Sequence, residues 1–213
     1  MAAHRLSADP YNLVITGVGG QGNVLASRVL GSMLSRKGYI VTIGETFGAS
    51  QRGGSVMSHL RVSGKDTFSP QIPRGGAHVV VSLEPTETLR VLAGYGNPDV
   101  ITLCNTRPVH SIAVISGEHA YPEEEQLKEW VRELSGRAWF LDATEAAMSM
   151  GNAVLANIMM IGALGETGVL PIDTDLFAAV IATMMPPEKT AANRRAYERG
   201  ARMLLSPHNK ETG

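Results

Sequence analysis

The first apolar run of the chain, residues 12–16 (NLVIT), is too short for a helix and reads as a buried strand. It passes straight into Gly17-Val-Gly-Gly-Gln-Gly22 and then into VLASRVLGSMLSRKG. There Val24, Leu25, Val29, Met33 and Leu34 recur at helical spacing until Gly38 stops the helix. Strands follow at 39–43 and 55–62. In the latter, Val56, Ser58, Leu60 and Val62 share one face, while Ser55, Met57, His59 and Arg61 share the other. Residues 64–66 read as a turn and 68–76 as an extended connection. AHVVVSL at 77–83 is a central strand, and Glu84-Pro85 opens a helix to about residue 93. Strands are expected at 99–104 and 138–141, with a weaker one at 112–115. An amphipathic helix with acids at its start is expected at 122–134.

From residue 144 the pattern is helical, over 144–150, 152–164, 174–185 and 189–205. The segment 152–164 is apolar nearly all round, which predicts a helix buried by its own chain or covered by a partner. Asn157 within it needs hydrogen-bond partners. With more apolar surface than one contact face requires, this helix is expected to join the glycine-rich loop in an interface with another chain. These elements predict an α/β protein: a three-layer α/β/α arrangement with a mixed, mostly parallel sheet and a helical C-terminal part.

The start is Rossmann-like. Strand, GxGxxG and helix in that order place backbone N–H groups where a phosphate binds. Glu45 follows the second strand, about where a dinucleotide fold keeps its ribose-binding acid. The pattern then departs from a classical Rossmann fold: Gly48, Gly53 and Gly54 interrupt any crossover helix, and the next element is a strand.

Composition narrows the classes. With 213 residues, 44% of them hydrophobic and 18% charged, the chain is expected to form a single domain over 1–213, with a core at about 11–205 and loose tails at 1–10 and 207–213. A net charge of −1 argues against a dedicated nucleic-acid binder. No signal peptide is read at the N-terminus, and the longest apolar run, 153–164, is too short to span a bilayer. The single cysteine, Cys104, excludes an intrachain disulfide and fits a reducing, cytoplasmic setting. It also leaves no ligand set for an Fe–S cluster, which normally takes four thiolates.

Candidate chemistry concentrates in the glycine motif and in residues 45–61 (ETFGASQRGGSVMSHLR). Gly53 and Gly54 let backbone approach a ligand closely. Arg52 offers a planar fork for phosphate or carboxylate, and Ser50 and Gln51 add neutral hydrogen-bonding groups. The ligand-holding candidates are therefore Gly17, Gly19, Gly20, Gln21, Gly22, Ser50, Gln51, Arg52, Gly53 and Gly54. His59 is a candidate for contact with a reacting group and reads equally as a structural histidine. Arg61 is expected to pair with an acid at an interface. No metal-ligand set is expected.

GVGGQG after the first strand and GASQRGGSVMSHLR after the second, in this order, resemble the γ subunit or domain of 2-oxoacid:ferredoxin oxidoreductases, and within them the β subunit of the indolepyruvate (arylpyruvate) branch. The likeness covers about residues 11–205. It includes GNAVLANIMMIGAL with Asn152 and Asn157, and the last helix with Asn193, Tyr197 and Gly200. The resemblance implies oxidative decarboxylation of a 2-oxoacid on thiamine diphosphate, electron transfer through [4Fe–4S] clusters to ferredoxin, and acyl transfer to CoA. The chain lacks both the cysteines for clusters and the GDG-type motif for thiamine diphosphate and Mg²⁺. That implies a small, non-autonomous subunit beside a large α subunit carrying both. Its own share would be to cover the active site and help bind CoA. Two other readings stay open: a self-standing NAD(P)- or flavin-dependent oxidoreductase, and a nucleotide-binding regulatory protein.

Overall fold

The computed structural model describes residues 6–48 and 54–206. Its sheet is built around β1 (Tyr11–Val18), which is buried along its whole length. The order is β2 (Ile40–Phe47), β3 (Ser55–Ser63), β1, β4 (Val79–Ser82), β5 (Ile101–Asn105), β6 (Arg137–Leu141). β1, β4, β5 and β6 run parallel, while β3 is antiparallel to both of its neighbours. The sheet is thus mixed and mostly parallel, as the sequence predicts. Glu45 lies inside β2, opposite Ser58 of β3, and not beyond its end. A β2–β3 hairpin stands where a Rossmann half would place a crossover helix.

Period-two alternation along the strands divides the core. Leu13, Ile15, Leu60, Val62, Val79 and Val81 belong to the larger core. α1 (Asn23–Arg36), α5 (Ala143–Ser149), α6 (Ala156–Glu166), α7 (Thr174–Met184) and α8 (Pro187–Leu204) contribute to the same cluster. Val14 and Val80 face the opposite way, onto Val91 and Leu92 of α2 (Pro85–Tyr95) and Val131 of α4 (Glu124–Glu133). Ile72 and Ala77, from the connection between β3 and β4, join this smaller core. That connection lies as a strap on the sheet: a Cβ added to Gly44 would stand 2.7 Å from Pro70.

Local chemistry sets the helix ends. Glu84 caps α2, its carboxylate accepting the Glu87 N–H at 2.9 Å, with Pro85 at the first helical position. Asp173 caps α7 in the same way, through the Leu176 N–H. α6 and α8 meet backbone to backbone. A Cβ on Gly200 would lie 1.8 Å from the Met159 carbonyl oxygen, and one on Gly162 2.0 Å from that of Tyr197.

Two expectations need correction. Residues 156–164 of α6 are all buried by their own chain, so of the segment 152–164 only its first residues, Val154 among them, stay exposed to a partner. Residues 112–115 are a short helix, α3 (Ile112–Ile115), and not a strand. The Ser111 carbonyl accepts the N–H groups of Val114 and Ile115, closing a helical turn after a polar starter residue.

Candidate functional site at the carboxyl end of the sheet

From β1 the chain crosses through α1 to β2 on one side, while β4, α2 and β5 build outward on the other. Such a divergence opens a crevice outside the carboxyl ends of the strands, and the glycine motif lies there. Gly20 (φ 97°) and Gly22 (φ 84°) adopt the left-handed region, where a side chain would be strained. Gly22 is the residue before α1; among the described residues α1 has no side-chain cap and no acid in its first turn. Its first N–H groups are therefore open to an anionic acceptor. The Gly19 N–H donates to the Gly54 carbonyl at 2.9 Å, tying the loop to the start of β3.

Side-chain amides brace this loop from beneath. Gln21 accepts the Val18 N–H through Oε1 at 2.8 Å and donates through Nε2 to the Leu83 carbonyl at 2.9 Å. Asn105 Nδ2 donates to the same Leu83 oxygen at 3.0 Å and to the Thr144 hydroxyl at 2.9 Å. Asn157 Nδ2, from α6, donates to the Gly22 carbonyl at 3.1 Å. Gly17 makes room for the brace: a Cβ there would stand 2.5 Å from Gln21 Oε1.

Three adjoining clefts, which share lining residues, lie around the loop. One of about 620 Å³ is bordered by Gly19, Gly20, Gly22, Asn23, Phe47 and Ser55. A second, of about 490 Å³, reaches from Gly20 and Gln21 past Arg107 and His110 to Met148 and Val154. The third, of about 400 Å³, is more polar and includes Ser55, Thr86, Glu87, Arg90 and Tyr121. Phe47, Val109, Ile115, Met148 and Val154 form an exposed apolar rim on these clefts, Ile115 being 75% accessible.

Glu84 is the group that sequence alone underrates. It is fully buried, and beyond capping α2 it accepts the Tyr121 hydroxyl at 2.6 Å and the Val109 N–H at 3.3 Å. It thereby fastens the 106–122 segment over the clefts. Burial and the neighbouring carboxylate push the Tyr121 phenol above its ordinary pKa, so it stays a donor. The signal is Glu at the residue before Pro85, legible as a cap but not as a tether. Glu87, also buried, accepts the Ser55 hydroxyl at 2.5 Å and lies 3.4 Å from Arg90.

Of the predicted site residues, Gly17, Gly19, Gly20, Gln21, Gly22 and Gly54 come together here. Ser50, Gln51, Arg52 and Gly53 lie outside the described residues; Gly48 and Gly54 on either side of them border the clefts. His59 stands apart. It pairs with Val14 four residues along β3 from Ser55, about 13 Å by strand rise. It is buried edge-on to Tyr95 at 5.0 Å, and its Nδ1 accepts the Ile72 N–H at 3.4 Å. Burial lowers its pKa, keeping the ring neutral. Among the described residues Arg61 meets no acid: it donates to Asn12 Oδ1 at 3.1 Å and to the Ser69 carbonyl at 3.1 Å, and lies over the Phe68 ring. His59 and Arg61 together fasten the strap. Cys104 is buried, its thiol pushed up to about 12. Among the described residues no cluster of His, Cys, Asp and Glu is arranged to hold a metal ion, and no helix is long and apolar enough to cross a membrane.

The sequence profile of the pyruvate ferredoxin/flavodoxin oxidoreductase family matches residues 12–203. The chain belongs to that family. Indolepyruvate oxidoreductase subunit IorB of Thermococcus kodakarensis is 39% identical over 193 residues, spanning 90% of this chain and 95% of that protein. The fold recurs in the pyruvate oxidoreductase subunit PORC of Thermotoga maritima, with a TM-score of 0.68, 24% identity, and coverage of 92% of this chain and 97% of that one. It recurs again in the 2-oxoglutarate:ferredoxin oxidoreductase of Magnetococcus marinus, solved with 2-oxoglutarate, coenzyme A and succinyl-CoA. That match has a TM-score of 0.72 and 18% identity, and it covers 93% of this chain but 32% of the other. Within the family it is similar over nearly its whole length to small subunits of the IorB type.

Proposed function

We propose that this subunit closes the active site of an arylpyruvate-oxidising, thiamine-diphosphate-dependent enzyme and holds the anionic part of coenzyme A in its glycine cleft. One observation carries the reading: an uncapped helix N-terminus behind a left-handed glycine turn opens into a cleft with an apolar rim. Free N–H groups at a helix start suit a diphosphate, and the rim suits a surface that is dry only in an assembly. The indolepyruvate names of relatives at 32–39% identity support the substrate class.

The partner is a large α subunit carrying thiamine diphosphate, Mg²⁺ and [4Fe–4S] clusters, with ferredoxin as the final acceptor. One buried cysteine gives this chain no cluster ligands of its own. Thiamine diphosphate in that partner supplies the chemistry of decarboxylation. The residues here bind, orient and exclude water around the acyl acceptor. A self-standing dinucleotide enzyme fits less well, because the β2–β3 hairpin replaces the crossover that would complete a dinucleotide site. The test is calorimetric titration of the co-purified complex with coenzyme A and with NADH, alongside iron and thiamine analysis. Binding of coenzyme A with indifference to NADH is expected. Micromolar NADH binding with no response to coenzyme A would overturn the reading.

A further inference from the structure

Asn157 is out of place by the logic of packing. It sits in a helix that is buried nearly all round, itself 1% accessible, with Ile158, Met159, Met160 and Ile161 following it. Its Nδ2 donates to the Gly22 carbonyl at 3.1 Å, but its Oδ1 is buried with no hydrogen-bond partner among the described residues. A buried amide with half its capacity empty is unfavourable, and an apolar side chain of the same shape would remove that cost. Its one bond reaches the residue that starts α1, in the left-handed turn whose carbonyl direction sets the aim of the first free N–H groups. The fit is tight: a Cβ on Gly22 would lie 2.1 Å from Asn157 Nδ2.

The second brace is independent of α6. The Leu83 carbonyl receives both Gln21 Nε2 and Asn105 Nδ2, so the loops that end β1, β4 and β5 share one acceptor. Gln21 Oε1 returns to the Val18 N–H, fixing the loop at its other end. None of these amide groups needs a ligand to be held in place.

We propose that Asn157 and Gln21 are positioning residues: they hold the glycine loop in its anion-receiving form before ligand arrives, Asn157 at a cost in stability. The proposal rests on the reading of the cleft as a coenzyme A site, and for Asn157 it predicts effects of opposite sign on stability and on binding. Asn157→Leu keeps the volume, removes the unpartnered oxygen and releases Gly22.

The experiment compares the co-purified wild-type complex with the Asn157→Leu and Gln21→Met complexes. It measures the melting temperature, the Kd for coenzyme A by calorimetry, and KM and kcat with coenzyme A varied. The expected result for Asn157→Leu is an equal or higher melting temperature with Kd and KM for coenzyme A raised about ten-fold or more and kcat nearly unchanged. Gln21→Met should weaken binding at least as much, with a melting temperature lowered by the Val18 N–H it leaves unpaired, and its Kd keeps the test valid if the α6 variant does not fold. Unchanged affinity in the folded variants would overturn the proposal and leave the cleft assignment standing. Loss of affinity only in proportion to loss of thermal stability would make both residues structural and overturn it too. A wild-type complex that ignores coenzyme A would remove the cleft assignment and the proposal together.

Discussion

Single side chains in this chain act mostly by holding connections against the sheet. Arg61 shows why sequence alone misassigns them: on a strand face it reads as an exposed cation seeking an acid, whereas the strap brings carbonyl oxygens and a phenyl ring to it. A half-buried arginine with three such contacts should cost about 1–3 kcal/mol on Arg61→Ala, measured by urea unfolding. The histidines give a pH signature. Burial lowers the pKa of His59 and of His78 in the folded protein. Their unfolded value is about 6.5. The neutral rings therefore contribute full stability above that pH, and the contribution is lost as pH falls toward the folded values. The melting temperature should drop between about pH 7 and pH 5, and His59→Phe should flatten part of that slope. A slope that ignores this substitution would show that His59 is not the responsible group. Glycine identity is legible in the sequence; its reason is not. That Gly17 makes room for Gln21 depends on Leu83, 62 residues further along, being the other end of the brace.

The elements themselves are largely readable, because each strand has a short apolar run and each helix a stop or a cap in sequence. β1, α1, α2 and α4 fall where periodicity and the Pro85 signal put them, and β2 simply runs on to Phe47 because its hairpin partner continues. The failure at 112–115 is informative. IAVI has strand composition, but the place beside β5 is taken by β6, and Ser111 starts a helical turn instead. Hydrophobicity marks α6 correctly as buried and wrongly as waiting for a partner. Its cover, α8, comes more than twenty residues later and meets it through glycines, which carry no hydrophobic signal. That contact gives a paired prediction. Gly200→Ala drives a methyl into the Met159 carbonyl and should cost about 3 kcal/mol, the upper end for overpacking. Gly94→Ala in α2 has open space around it and should stabilise by about 0.5–1 kcal/mol through helix propensity. Chemical denaturation of the two variants beside the wild type checks both signs. Equal effects would mean that α6 and α8 do not touch backbone to backbone.

At the scale of the whole molecule, the exposed apolar rim is the surface the proposed assembly would use. Ile115, Val154, Met148, Val109 and Phe47 surround the clefts at the carboxyl end, while Ile40 lies at the opposite end of β2. An exposed rim of this kind, continuous with a cleft, is a surface for association. A buried aliphatic anchor typically carries about 2 kcal/mol of an interface or more. A carboxylate placed there adds the penalty of an unpaired charge. Ile115→Asp and Val154→Asp should therefore each weaken association with the proposed α subunit by roughly thirty-fold or more, converting that energy at 1.4 kcal/mol per decade. Ile40→Asp, equally a loss of an exposed aliphatic group but at the far end, should leave association unchanged. None of the three should alter the melting temperature of the isolated chain by more than a few degrees, since each side chain is already open to solvent. Sedimentation velocity of each variant mixed with the purified α subunit reads the association directly. Normal assembly of both rim variants would place the interface elsewhere. Loss of assembly in Ile40→Asp would mean that the partner wraps the amino end of the sheet and leaves the glycine cleft open.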